Sequence, residues 1–213
     1  NVAQDMVSIK IQVNRHFKMG LAGQHHPIFV EIDGRRYERT YSLSQLDAQH
    51  VQLTVKKVDQ GKVSTWLVEQ AKKGDRIGFG LPYGDMQQDS LTQQVVLLAA
   101  GSGITPMYSL IQQWVKNKSL AKHKVTLLYW VKTPEDAAFK GVFEDLAKEY
   151  ADFKFKLFFT QTSTPDARLN QTDVEGIADL KHTQVYACGP SGFVARAEEL
   201  FAQAQHFYGE AFS

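Results

Sequence analysis

The chain has 213 residues, of which 43% are hydrophobic and 22% are charged, and its formal net charge is +1. This is the composition of an ordinary globular protein, which excludes disorder, and the small charge gives no reason to expect a nucleic acid or a membrane surface as partner. No apolar run approaches the ~20 residues of a membrane-spanning helix, and residues 1–10 lack a secretory pattern. Because the chain has a single cysteine, we predict a cytoplasmic location.

Residues 1–90 have the pattern of short β-strands. Apolar and polar residues alternate over 7–13 and again over 51–55, and Asp33-Gly34 separates two β-like runs as in a hairpin. A short helix is predicted over 63–71. Several short strands at this spacing predict an antiparallel barrel or sandwich.

After about residue 94, strands alternate with helices, which predicts a parallel sheet with helical crossovers. Residues 87–94 are polar and lack an apolar period, so they mark the boundary between a domain of residues 1–90 and a domain of residues 91–213. The predicted strands are 95–100, 125–131, 153–160 and 184–188, and the predicted helices begin at Thr105, at Thr133 and after Pro190.

The first strand of the second domain runs into Gly101-Ser102-Gly103-Ile104-Thr105-Pro106, which we call the glycine turn. Such a turn lets backbone N–H groups approach a phosphate, and the start of the following helix favours negative charge. Thr105 is predicted as the N-cap and Pro106 as the first helical residue. Because the third glycine of the usual dinucleotide fingerprint is missing, an ordinary strand-to-helix turn is the alternative for this segment alone.

Cys188 is the only cysteine of the chain. It cannot form an internal disulfide, and one thiolate cannot hold an iron–sulfur cluster or a structural zinc, which need about four ligands. The adjacent pair His25-His26 lacks the spacing of a metal-binding motif. We therefore predict no metal site in this chain.

Three further segments accompany the glycine turn: Arg39-Thr40-Tyr41-Ser42, Gly61 to Thr65, and Cys188-Gly189-Pro190. In this order, the R-x-Y-S, G-x-x-S, G-x-G-x-T-P and C-G-P motifs resemble the ferredoxin–NADP reductase-like family of flavoproteins over nearly the whole chain. The likeness is greatest to the reductase modules of oxygenase and desaturase systems and of flavohaemoglobins. The resemblance implies an N-terminal antiparallel β-barrel domain that binds a flavin, followed by a C-terminal α/β parallel-sheet domain that binds a nucleotide.

The resemblance places the flavin on the barrel. Arg39 offers a forked cation for a phosphate, Tyr41 offers an aromatic face, and Ser42 is assigned to the flavin N5. Backbone N–H and hydroxyl groups of the Gly61 turn are expected to wrap a pyrophosphate, so FAD fits better than FMN. The expected flavin-binding residues are Arg39, Thr40, Tyr41, Ser42, Val55, Lys56, Gly61, Val63, Ser64 and Thr65.

NADH or NADPH is expected at the carboxyl ends of the second domain's strands, with its pyrophosphate on the glycine turn. The choice between the two nucleotides stays open. Lys132 and Arg168 are candidates for a 2′-phosphate, whereas residues 160–162 lack the S-R pair of NADPH-specific relatives. The expected nucleotide-binding residues are Gly101, Gly103, Thr105, Pro106, Cys188, Gly189, Pro190 and Phe212.

Ser42, Cys188 and Glu210 are the predicted catalytic residues. The resemblance implies that Cys188 lies beside the nicotinamide and positions it without nucleophilic attack. It also implies that Glu210 and Phe212 lie near the flavin and the nicotinamide. The alternatives are that Cys188 is a small core residue, and that residues 210–212 are a frayed terminus.

The resemblance implies a reductase that takes a hydride from NADH or NADPH onto FAD and releases electrons singly to an acceptor. Because one cysteine cannot ligate a cluster, the acceptor is expected to be an iron–sulfur (ferredoxin-type) protein or a domain missing here. The chain is then a fragment or an isolated module of a larger electron-transfer protein. The alternatives are the reductase half of a flavohaemoglobin and a non-catalytic flavin- or nucleotide-binding regulatory module.

Overall fold

The computed structural model describes residues 1–86, 94–161 and 167–212. The predicted domain boundary at 87–94 lies outside the described residues except for Gln94. Residue 162, the last of the three considered for the choice between NADH and NADPH, also lies outside them. Among the described residues, no helix is long and apolar enough to cross a membrane, and no three metal-ligating side chains converge.

The first domain is one antiparallel sheet in the order β1-β4-β3-β2-β5. The sheet curls around a single apolar core that includes Ile28, Leu43 and Leu53. The predicted hairpin at Asp33-Gly34 is confirmed, since Ile32 pairs with Arg35 across the two-residue turn. The strands are Met6–Gln12 (β1), His25–Ile32 (β2), Arg35–Gln45 (β3), His50–Lys56 (β4) and Gly78–Phe79 (β5).

The predicted short helix of this domain is an α-helical turn followed by a π-helical turn. Helix α1 spans Lys62–Thr65 and continues as one π-helical turn over Trp66–Gln70. The wider turn is closed by the Ala71 N–H, which donates to the Trp66 carbonyl at 2.8 Å. Val63 and Leu67 lie on the inner face of this segment and cover one end of the core.

The second domain is a parallel sheet in the order β10-β9-β6-β7-β8, so the predicted fold class is confirmed. Successive residues of β6 face opposite layers, with Leu97 in one core and Leu98 in the other. The strands are Gln94–Ala100 (β6), Lys124–Val131 (β7), Phe153–Phe159 (β8), Thr183–Pro190 (β9) and His206–Phe212 (β10). The helices are Ile104–Lys116 (α2), Lys140–Glu149 (α3), Gln171–Glu175 (α4) and Ser191–Leu200 (α5).

The strand order reverses between β6 and β9. The chain adds β7 and β8 on one side of β6 and then returns to place β9 and β10 on the other side. In an open parallel sheet, the crevice at the carboxyl ends of two such strands is the usual ligand site. The glycine turn follows β6, and Cys188-Gly189 ends β9, so both segments lie at this crevice.

Two helix starts differ from the prediction. Gly103 is the N-cap of α2, and the hydroxyl of Thr105, inside the first turn, donates to the Ser102 carbonyl at 3.1 Å. Thr105 as N-cap is therefore wrong, because a 3-10 turn over Gly101–Gly103 begins the helical winding earlier. The helix predicted from Thr133 is also interrupted: Phe139 has a φ of 60°, and α3 begins only at Lys140.

The two domains share polar and apolar contacts. The buried hydroxyl of Ser109 on α2 donates to the Leu43 carbonyl on β3 at 2.8 Å. Met6 and Met86, from the first domain, are packed within the core of the second. These contacts join α2 to β3 and fix the two domains against each other.

Candidate functional site

A cavity of about 700 Å³, which we call the seam cavity, lies between the two domains. The R-x-Y-S, G-x-x-S, G-x-G-x-T-P and C-G-P segments all contribute to its wall, although they are far apart in sequence. The first domain supplies His25, Arg39, Thr40, Tyr41, Ser42, Thr54, Lys56, Val58, Gly61, Val63, Ser64 and Tyr83. The second domain supplies Ser102, Thr105, Pro106, Cys188, Glu210, Ala211 and Phe212.

A second cavity of about 740 Å³, the sheet-edge groove, runs over the carboxyl ends of the parallel strands. Its wall includes Gly101 and Pro190 from the predicted nucleotide site, and four cations, Lys56, Lys132, Arg168 and Arg196. Residues shared by both walls show that the groove opens beside the seam cavity. The shared residues are Lys56, Val58, Ser102 and Phe212.

The end of β3 presents the polar groups of the R-x-Y-S segment to the seam cavity. Arg39 is exposed, and one guanidinium nitrogen donates to the neighbouring Glu38 carbonyl at 2.7 Å, which leaves further donors for a ligand. Burial raises the pKa of Tyr41 to about 12, so its phenol stays protonated and is a donor at neutral pH. Ser42 pairs with His25 across the β2–β3 ladder.

The Gly61 turn fits a phosphate through its backbone more than through its hydroxyls. The Ser64 hydroxyl donates to the Gly61 carbonyl and accepts from the Val58 N–H, both at 3.1 Å. The expected hydroxyl contact from Ser64 is therefore used inside the turn. The N–H groups of the first helical turn have no acceptor within the helix, so they are the groups left to meet an anion.

Four of the expected binding residues do not contribute to either cavity wall: Val55, Thr65, Gly103 and Gly189. The Val55 side chain has no exposed surface and belongs to the barrel core, because strand alternation turns it away from the cavity that Lys56 lines. Gly103 has a structural role instead. A Cβ at this position would lie 2.1 Å from the Cys188 carbonyl oxygen, so only glycine lets the turn meet the end of β9.

Cys188 lies at the floor of the seam cavity, with 6% of the residue exposed. Burial raises the pKa of its thiol well above the ordinary value, and the nearby Glu210 carboxylate raises it further. The thiol therefore stays protonated at neutral pH, and a protonated thiol is a poor nucleophile. Burial and protonation therefore suit a residue that shapes the surface of the seam cavity.

Glu210 belongs to strand β10, which the sequence analysis did not predict and which excludes a frayed end at this position. Its register partner on β9 is Cys188. The pKa of Glu210 is raised to about 7, chiefly by burial and also by nearby Asp85, whereas a hydrogen bond from the Met86 N–H acts in the opposite direction. Its Oε1 lies 3.2 Å from Nε2 of His25, a residue that sequence reasoning considered only as a metal ligand.

Replacing Glu210 with glutamine is expected to change the pH dependence of stability. Burial raises the pKa of this carboxyl from 4.5 to about 7, so the folded protein binds its proton more tightly than the unfolded chain. This contribution to stability is complete below the unfolded pKa and is lost as the pH rises through the folded one. Urea denaturation between about pH 4 and about pH 8 measures it. The wild type should lose stability relative to E210Q across this range, and a constant difference contradicts the prediction.

Comparison with protein-family models divides the chain in two. Residues 1–88 match the oxidoreductase FAD-binding domain, and residues 97–199 match the oxidoreductase NAD-binding domain. Among curated proteins, a flavohemoprotein of Bacillus cereus is 30% identical over 215 residues, which cover 90% of this chain and 53% of that protein. The NADH oxidoreductase HCR of Escherichia coli is 29% identical over 184 residues, or 84% of this chain and 54% of that protein. The chain thus spans about half the length of these relatives.

Solved structures share the fold over the whole chain. The FAD/NAD-binding domain of a nitric oxide dioxygenase from Vibrio cholerae has a TM-score of 0.86 at 23% identity, covering 100% of this chain and 94% of that one. Phthalate dioxygenase reductase has a TM-score of 0.74 at 22% identity, covering 98% of this chain and 64% of that one.

Proposed function

Because the chain belongs to the ferredoxin–NADP reductase-like family, and is an oxidoreductase that binds FAD and NADH or NADPH, we propose that it is a reductase module that takes up electrons in pairs and releases them one at a time. It oxidises the nicotinamide and passes electrons singly to an iron–sulfur (ferredoxin-type) protein or domain outside this chain. We also propose a cytoplasmic location, where an unpaired cysteine stays reduced. The observation that carries the proposal is that the four motif segments line one cavity at the domain seam.

The residues present fit FAD. Arg39 supplies a phosphate-binding fork, Tyr41 supplies a ring and a protonated hydroxyl, and the first turn of α1 supplies backbone donors. When bound, FAD accepts the hydride of the nicotinamide and gives up its electrons one at a time. Ser42 and Cys188 both contribute to the wall of the seam cavity, one from each domain, where they would orient the two ring systems toward each other.

The sheet-edge groove suits the remainder of the nucleotide. The Trp130 Nε1–H is buried and has no hydrogen-bond partner among the described residues, although Trp130 contributes to the groove wall. An unpaired buried donor costs free energy that an oxygen of a bound ligand recovers. The hydroxyl of Tyr129 donates to the Gly101 carbonyl at 3.1 Å and so steadies the glycine turn from below.

Arg168→Ala is expected to raise the KM for NADPH about tenfold and to change that for NADH less than about twofold. The reason is that Arg168 is an exposed cation in the groove wall, where it reaches a 2′-phosphate that NADH lacks. Steady-state reduction with each nucleotide measures this. Lys140→Ala, which removes an exposed cation outside the groove, is the control. Equal increases for both nucleotides would instead assign Arg168 to the shared pyrophosphate.

The proposed function is tested by anaerobic mixing of the FAD-loaded protein with NADH or NADPH, followed by a one-electron acceptor. We expect the flavin absorbance to bleach and then to recover when a [2Fe–2S] ferredoxin is added. The structurally similar phthalate dioxygenase reductase transfers electrons from pyridine nucleotides to [2Fe–2S], which supports this choice of acceptor. A flavin that does not bleach contradicts the proposal.

The second candidate is the reductase half of a flavohaemoglobin. It is favoured by the similarity to flavohemoproteins, of which the chain covers about half. The same experiment separates the two candidates when a globin haem is offered as acceptor. Recovery with the haem and none with the ferredoxin selects the flavohaemoglobin alternative.

A further inference from the structure

Two pairs of residues, one from each domain, meet at the floor of the seam cavity. In the first domain His25 lies opposite Ser42 in the antiparallel β2–β3 ladder. In the second domain Glu210 lies opposite Cys188 in the parallel β9–β10 ladder. All four residues contribute to the wall of the same cavity.

One side-chain contact joins the two pairs. His25 Nε2 and Glu210 Oε1 are 3.2 Å apart, and each side chain is only 18% exposed. The His25 backbone is held by two hydrogen bonds to Tyr83, since its N–H donates to the Tyr83 carbonyl and its carbonyl accepts from the Tyr83 N–H, each at 2.9 Å. The imidazole therefore projects from a fixed strand end toward a carboxyl on the other domain.

The loop that contains Gly84 packs directly over the contact between His25 and Glu210. A Cβ on Gly84 would lie 2.9 Å from Glu210 Oε1 and 3.0 Å from His25 Nε2, and the φ of Gly84 is +115°. Gln24 donates from Nε2 to the Gly84 carbonyl at 3.1 Å, which holds this loop in place. The backbone at Gly84 thus passes so near the imidazole–carboxyl contact that a side chain there would crowd both atoms.

We propose that His25 is a positioning residue of this site, whose Nε2 holds the Glu210 carboxyl at the domain seam through one shared proton. This inference rests on the proposed function, because the position matters only if a flavin and a nicotinamide meet there. It concerns a residue that none of the four motifs includes.

The surrounding charges favour a single proton on the pair near neutral pH. Burial lowers the pKa of His25, and His26, next to it on β2, further disfavours a second proton. Burial and Asp85 in the adjoining loop raise the pKa of Glu210 and so favour retention of the first proton. The other ionisable groups in the same cavity wall are the Cys188 thiol on β9, Tyr41 and Arg39 on β3, Lys56 on β4, and Tyr83, whose ring packs edge-on against the His25 imidazole at 5.2 Å between centroids.

The first test is an NMR titration of the His25 imidazole in the FAD-loaded protein, which does not depend on turnover. When one proton is shared, the imidazole senses the ionisation of the carboxyl as well as its own, so the His25 titration should follow two coupled steps in the wild type and a single step in Glu210→Gln. The NMR signals of His16, an exposed histidine of the same domain, should be the same in both proteins and serve as the control. If His25 also titrates identically in both, no proton is shared and the inference is wrong.

The second test is the pH profile of flavin bleaching by NADH or NADPH in His25→Gln. Glutamine keeps a donor nitrogen but cannot share the titrating proton, which then belongs to Glu210 alone, so the limb of the profile that reports this proton should shift. His16→Gln is the matched control and should keep the wild-type profile. A superimposable profile in His25→Gln overturns the inference even if the wild type bleaches normally.

Failure of the two proposals gives different results. If the wild type does not bleach with either nucleotide, the proposed function fails, and the imidazole titration still decides whether the pair shares a proton. If the wild type bleaches and both readouts of His25 are unchanged, only the positioning role fails.

Discussion

Gly103→Ala is expected to destabilise the protein by about 3 kcal/mol and to abolish nucleotide binding. The added Cβ would lie 2.1 Å from the Cys188 carbonyl oxygen, 2.5 Å from the Cys188 carbonyl carbon and 3.0 Å from the Gly189 nitrogen. All three atoms belong to the backbone, so no side-chain rotation relieves the overlap. The ends of β6 and β9 must separate, and the crevice at the point where the strand order reverses loses its shape.

Urea denaturation measures the loss of stability, and titration with NADH or NADPH measures the loss of binding. Gly141→Ala is the matched control, because Gly141 lies in α3, where an added Cβ would meet no atom of a neighbouring element within 4 Å. There the same substitution should be neutral or stabilising by up to about 1 kcal/mol, since alanine favours helix. A Gly103→Ala protein that is as stable as wild type and binds nucleotide would contradict this account of the turn.

Arg39→Ala is expected to weaken FAD binding about 10- to 100-fold. The expected loss corresponds to the ~1.5–3 kcal/mol that hydrogen bonds to a charged group contribute. Arg39 contributes its planar guanidinium to the seam cavity wall, and its forked donors match a phosphate in a way that few other side chains do. Titration of the apoprotein with FAD, followed by flavin fluorescence, measures the change.

Arg36→Ala provides the control for this substitution. Arg36 lies on the same strand, but its guanidinium packs 4.0 Å above the Phe29 ring, and it does not contribute to the seam cavity wall. Its removal should leave the affinity for FAD within about twofold of wild type, because Arg36 lies outside the cavity wall. The control is matched, since both variants lose one positive charge. Equal weakening in Arg36→Ala and Arg39→Ala would show that FAD responds to net charge alone.

The fifth parallel strand has a chemical consequence for the site. By pairing with β9, strand β10 places Glu210 opposite Cys188 and Phe212 in the walls of both cavities. The carboxyl thereby becomes buried, and its pKa rises to about 7. A titratable group near neutrality is thus built into the seam, and the first domain meets it with His25.

Local pattern was enough to predict most elements of this protein. Alternating residues in β1 and β4, the Asp33-Gly34 hairpin and the buried strands β6 to β9 follow from side-chain periodicity and turn chemistry, which act between near neighbours in sequence. The order of the four motifs likewise predicted both domains, and the structure brings those motifs to one cavity.

Tertiary structure decided the points where the sequence analysis was wrong or incomplete. Helix α2 begins at Ile104 because a 3-10 turn over Gly101–Gly103 starts the helical winding before Thr105, and Val55 belongs to the apolar core of the first domain. The contact between His25 and Glu210 needs β10 to pair with β9 and the two domains to dock. Neither event has a local signal, since hydrogen bonds between strands and contacts between domains join residues that are distant in sequence.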